Sequence, residues 1–281
     1  MRPPVAIPVI LLALLVACGG ADRTAEGEEG RRGDAGSTGR GDSPILFHRY
    51  TDKTENAFTI LVPDGWQTEG GILRVDPSAA GGAAQSLEAK FDFTVKRDAA
   101  GSVMLRWVPH IYYVDMRFSP AGSMFPPGSN YGGMMVMPLQ SPQQFAEQMV
   151  FPYLHPAASA AQRMDEQRLP GLARVYQKLF DEGIGKSLGG FLQIRYDAAH
   201  VTMEYDEGGV RYRERIVVVT EDRGQAAAGQ WCNRLTVVAR APAAEFDQLA
   251  AAWRSRDDHP QGAREGGRAA LPERLRVGRR Y

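Results

Sequence analysis

The chain has 281 residues and equal numbers of basic and acidic side chains, so its formal net charge is zero. A neutral chain exerts no global pull toward nucleic acid or acidic surfaces, and nucleic acid is excluded as an expected partner. With 43% hydrophobic residues it can bury an ordinary core, and once the flanking tails are set aside its length suits one domain.

Residues 5–16 follow Arg2 and are apolar apart from Pro8. This run is too short for a spanning helix of ~20 residues and fits the apolar region of a secretory signal. It closes in Leu15-Val16-Ala17-Cys18, which resembles the lipobox of bacterial lipoproteins. The resemblance implies that residues 1–17 are removed as a signal peptide and that Cys18 is acylated and anchors the mature chain. Each buried acyl CH₂ contributes ~0.8 kcal/mol, so several chains on one cysteine hold a domain firmly at a membrane. Gly19 stands where enteric bacteria use aspartate for retention at the inner membrane, so the resemblance implies an outer-membrane anchor facing the periplasm.

Residues 18–43 are rich in Gly, Asp, Glu, Arg, Ser and Thr and have almost no large apolar side chain. Such a segment cannot offset the entropy of ordering and reads as a tether. Its Arg40-Gly41-Asp42 matches an adhesion tripeptide, which a tether of this composition produces by chance.

Order is expected over 44–258. Residues 57–62 are strand-like and end in Pro63-Asp64-Gly65-Trp66, with Pro read at the first central position of a turn. From Leu87 to Lys96 apolar and polar residues alternate, predicting a strand with Phe91, Phe93 and Val95 buried and Glu88, Lys90, Asp92, Thr94 and Lys96 wet. Residues 102–108 and 111–118 continue as strands across Pro109-His110. Ser141-Pro142-Gln143-Gln144 carries the marks of a helix start, an N-cap serine, a first-turn proline and a glutamine at the third position. Residues 157–182 are ambiguous and split by Pro170. Residues 199–205 and 210–220 flank Asp206-Glu207-Gly208-Gly209, a hairpin. Residues 231–239 form another strand, and Phe246, Leu249, Ala250 and Trp253 make one apolar stripe on a closing helix. Residues 259–281, with six arginines, read as a basic tail. Hairpins outnumber β-α-β units, which predicts an α+β fold with a mostly antiparallel sheet.

The stretch from Ala57 through Val62 into Pro63-Asp64-Gly65-Trp66 resembles the opening of PsbP/Mog1-like domains, and the final strand and helix also suit that fold. The resemblance implies an α/β/α sandwich. Members are binding or assembly factors, and no metal or partner site of the family carries over to these residues.

No local catalytic signature emerges. His48, His110, His155, His200 and His259 lack metal-ligand spacing, and His110 and His155, beside prolines, read as turn or surface residues. Cys232, the second of two cysteines, reads as a buried inert thiol. Gly185-Lys186-Ser187 fails the phosphate-loop spacing because Phe180 stands where a glycine is required. Arg211, Arg213 and Arg215 share a strand face that Glu204 and Asp206 neutralise across the hairpin. No catalytic residue, metal or cofactor is assigned.

Residues 119–140 are rich in Pro, Gly and Met, and within them the loop from Met124 to Met137 is the candidate binding surface, where Phe125, Tyr131, Met134 and Met135 give an adaptable apolar patch. The competing reading is that these side chains fold back over the core. The expected function is a lipid-anchored, non-enzymatic envelope protein that binds a protein or a small apolar ligand. The alternative is an envelope hydrolase or metal-dependent enzyme with dispersed site residues.

Overall fold

The computed structural model describes residues 46–120, 122–186 and 193–254. Cys18, the 18–43 tether and the 259–281 tail lie outside the described residues.

Strands β1 (Phe47–Thr51) and β2 (Thr59–Pro63) form a small antiparallel pair. They lead through the Pro63–Trp66 turn, closed by Trp66 N–H donating to the Pro63 carbonyl at 3.1 Å. Asp64 and Gly65 are therefore the central residues, and the positive φ of Gly65, 79°, is what the turn requires. Pro63 sits one position earlier than expected.

The main sheet follows with β3 (Gln67–Leu73), β4 (Lys90–Lys96), β5 (Met104–Trp107), β6 (Tyr112–Val114), β7 (Asn130–Tyr131), β8 (Met134–Val136), β9 (Ser159–Arg168), β10 (Arg195–Glu207), β11 (Val210–Asp222) and β12 (Gln230–Pro242). Its order is β3-β4-β5-β12-β11-β10-β9, with β6 on β12 and β8, and β7 on β8. Every pairing is antiparallel except β6 with β8. Among the described residues the longer helices are α1 (142–154), α2 (Pro170–Phe180) and α3 (Ala243–Arg254). The fold is α+β with a mostly antiparallel sheet.

Side chains alternate along β11, so its apolar run serves two cores at once. Val217 and Val219 pack with Phe58, Phe93, Trp107 and Leu172, under the β1–β2 pair and α2. Ile216 and Val218 pack with Phe145, Val150, Phe151 and Trp231, under α1. Trp231 stacks on Tyr113 with centroids 4.6 Å apart and donates its indole N–H to the Met137 carbonyl at 2.9 Å. Such a pair adds ~0.5–1.5 kcal/mol beyond area burial.

Helix α1 begins with the expected reciprocal cap. Ser141 Oγ accepts from Gln144 N–H, and the Gln144 side chain accepts from Ser141 N–H. The helix continues past Pro152 because its middle, Ala146–Val150, widens to π geometry, with Phe151 N–H donating to the Ala146 carbonyl. Pro170 divides the ambiguous stretch into β9 and α2, with Pro170 in the first turn of the helix, where a missing N–H costs nothing. All ten residues of β9 are exposed, and Arg163, Asp165, Glu166 and Arg168 on this edge oppose pairing with another chain. In the β10–β11 hairpin, Gly208 and Gly209 both have positive φ, 58° and 79°, as a two-residue hairpin turn demands.

The expected one-sided burial of β4 is corrected. Lys90 and Lys96 are buried, whereas Leu87, before the strand, is exposed. Lys90 finds acceptors under cover, on the Gln85 side chain and the His110 carbonyl, whereas Lys96 runs along the sheet to the exposed Glu69 and the Ala99 carbonyl. No helix among the described residues is long and apolar enough to cross a membrane.

Candidate functional site

A step in the sheet borders a cleft. Strand β12 pairs with β5 through Val237–Arg240 and with β6 through Gln230–Cys232, so two short strands share its flank. Between them the chain steps out at Pro109. Asn233 bridges the step, accepting from Ile111 N–H at 2.7 Å and donating to the Pro109 carbonyl at 3.2 Å. Beside this step lies a cleft of about 370 Å³. Its walls come from the end of β3, the 80–90 segment, the 109–111 step and the 128–135 segment.

Gln85 ties these walls together. Its Nε2 donates to the Tyr112 carbonyl at 2.7 Å and the Gly133 carbonyl at 3.1 Å, while its Oε1 accepts from Tyr112 N–H and from Lys90 Nζ. All four bonding positions of the amide are thus used, as a buried amide requires. Gly82 and Gly133 complete the seam: a Cβ on Gly82 would lie 2.2 Å from the Gly132 carbonyl carbon, so only glycine admits this contact. Asn130 adds a bond from Gly133 N–H at 3.0 Å.

Lys90 lines the cleft and is only 3% exposed. Its Nζ donates to Gln85 Oε1 at 3.0 Å and to the His110 carbonyl at 2.7 Å, both neutral acceptors. Burial holds its pKa below the usual lysine value. The nearby carboxylates are engaged elsewhere. Glu88 accepts from Tyr112 OH and Arg234, each at 2.7 Å, and Glu221 accepts from Arg223 at 2.7 Å and Tyr196 OH at 2.9 Å. His110 belongs to this cluster instead of the surface position expected for it. Burial, with the positive charges of Lys90 and Arg234, pushes its pKa down to about 4. Cys232 is buried in the same region, and burial pushes its thiol pKa up.

The four residues of the expected binding loop divide between two roles. Met134 is buried and packs with Tyr112 and Val114, with Phe125 half-buried against the same cluster. Tyr131 and Met135 are exposed, Tyr131 edge-on to Phe125 at 4.9 Å, and Met135 lines the cleft. The stretch holds β7 and β8 because Met135 and Val136 pair with Tyr113 and Val114, partners that local sequence does not reveal.

A second polar cluster is largely buried. His155, expected at a turn or the surface, is 4% exposed and joins α1 to the sheet. Its Nε2 lies 2.8 Å from Glu214, its Nδ1 3.3 Å from Glu207, and Tyr205 OH donates to Glu214 at 3.2 Å. Arg240 bonds Glu207 at 2.9 Å and covers the Tyr212 ring at 3.7 Å. Glu214 has no exposed surface and His155 almost none, so this pair fastens the helix to the sheet from within the core, with Glu207 reaching the surface. His200 is likewise buried, against Asp165 at 2.9 Å. Arg211 and Arg213 meet Glu204 as expected, at 3.1 and 2.9 Å. Among the described residues no group of three or more His, Cys, Asp or Glu side chains is placed to hold a metal ion.

Sequence reasoning missed Lys90, Gln85 and Ile111. The only available signal was a lysine inside the cleanest alternating strand, which reads as a wet face until the covering segment is known.

In comparisons with known proteins, no family model and no curated protein matches this chain.

Proposed function

We propose that the protein is a lipid-anchored, non-enzymatic binding module of the bacterial cell envelope, held at a membrane through Cys18 and binding through the cleft beside the 128–135 segment. The cleft carries the reading: it is concave, mostly apolar in lining, and built by segments pinned to one another through Gln85 and the glycine seam. A rigid cleft with few polar groups is the usual form of a small-ligand site. The His155 cluster, the nearest thing to catalytic chemistry, lies under cover and supports a structural role instead. The Leu15–Cys18 signal supports outer-membrane anchoring.

Two measurements test this reading. Cys18→Ala is expected to release the protein from membranes on fractionation. A photo-crosslinking residue at position 135 in intact cells is expected to give a mass adduct absent from the same residue at Val175, an exposed α2 position. Membrane retention of Cys18→Ala, or equal adducts from both positions, refutes the reading.

A further inference from the structure

The cleft has a specific chemistry, and the inference drawn from it rests on the cleft being the binding site. Three large apolar side chains at its walls, Leu73, Ile111 and Met135, keep 44%, 38% and 44% of their surface exposed. They converge on one opening instead of being scattered, and a converging exposed apolar patch marks a ligand surface. Within the same cleft sits a buried cation. Lys90 has three N–H donors and two hydrogen-bond acceptors, both neutral; its Nζ also lies 5.5 Å from the centroid of the Tyr112 ring, and among the described residues it makes no ion pair with a carboxylate. A buried ammonium is stabilised by an anionic partner, and here the protein supplies none in contact.

We infer that the cleft binds a small amphiphile with a single carboxylate, its apolar chain against Leu73, Ile111 and Met135 and its carboxylate on Lys90 Nζ. The charge points to a carboxylate over a phosphate. Phosphate groups are matched by arginine forks and carry more than one charge. The arginines near this cleft, Arg223 and Arg234, are taken by Glu221 and Glu88, leaving one ammonium for one charge. The size points to a short ligand: 370 Å³ is near the lower end of the ~300–1,000 Å³ range of small-molecule sites, too small for a two-chain lipid.

The test is calorimetric titration of the full chain with octanoate, octanol and octyl phosphate. Octanoate is expected to bind at least about tenfold tighter than octanol, since a bond to a charged group is worth ~1.5–3 kcal/mol. Lys90→Met is expected to abolish that preference. Because Lys90 also supports Gln85, a second variant guards the test: Met135→Glu, at an exposed position, places a like charge at the cleft, and is expected to weaken octanoate about tenfold while sparing octanol. Equal affinity for octanoate and octanol overturns the carboxylate assignment and leaves the cleft as the binding site. Tighter binding of octyl phosphate overturns it in favour of a phosphate headgroup. No binding of octanoate overturns it outright. A failed crosslink at position 135 alongside intact octanoate binding defeats the envelope function alone.

Discussion

Protonation of His110 should set an acid limit on stability. The imidazole is held at a pKa of about 4 against an ordinary 6.5, because it is buried beside the cations Lys90 and Arg234, with Arg223 adding to them and only Glu88, 3.7 Å away, opposing. The neutral form is therefore favoured in the fold, and the unfolded chain binds the proton first as pH falls. Its contribution is fully present above pH 6.5, is lost progressively between 6.5 and about 4, and then levels off. The full shift converts to a ceiling of ~3.4 kcal/mol at ~1.36 kcal/mol per pKa unit. Partial solvent access to the ring, 12% of its side-chain surface, and screening reduce the expected effect to ~1–2 kcal/mol. The assay is urea unfolding of wild type and His110→Gln at pH 7 and pH 4.5. The wild type should lose ~1–2 kcal/mol more than the variant over this interval. Equal losses would refute the argument, since carboxylate titration elsewhere is common to both proteins.

Other consequences are testable in the same way. Ser141→Ala removes the cap on α1 and should cost ~1 kcal/mol by urea unfolding, while Ser141→Asp should restore most of it. His155→Ala leaves the fully buried Glu214 with only the Tyr205 hydroxyl, so ~3–5 kcal/mol of stability should be lost, against ~1–2 kcal/mol for Tyr205→Phe. Gly82→Ala drives a Cβ into the Gly132 carbonyl and should raise amide exchange selectively over residues 128–136, leaving the β10–β11 hairpin protected. Cys232, with no exposed surface and a pKa raised by burial, should resist thiol reagents until the protein unfolds.

What the sequence reveals depends on how local the cause is. The β10–β11 hairpin is legible because two glycines mark a turn whose geometry needs them. The start of α1 is legible because its cap is four residues long. The Arg211 and Arg213 pairing with Glu204 follows from the same hairpin register. The cleft is not legible, because residues near 85, 110 and 133 meet only when β6, β8 and the 80–90 segment assemble. Alternation puts Lys90 and Lys96 on a wet face, because it does not say whether the polar face of a strand is covered. His155 reads as a turn residue beside Pro156, and only the approach of α1 to β10 and β11 brings it to Glu214. Met134 and Met135 show the same limit at single-residue scale, one serving the core and its neighbour the cleft.

The central claim, an anchored module that binds through the cleft, is tested most directly by native mass spectrometry of the protein extracted from its own envelope in mild detergent. The account predicts a mature chain beginning at Cys18 with acyl mass, together with a bound carboxylate that is depleted in Met135→Glu while the acyl mass stays. A chain without acylation, or a bound carboxylate that survives Met135→Glu unchanged, would contradict it.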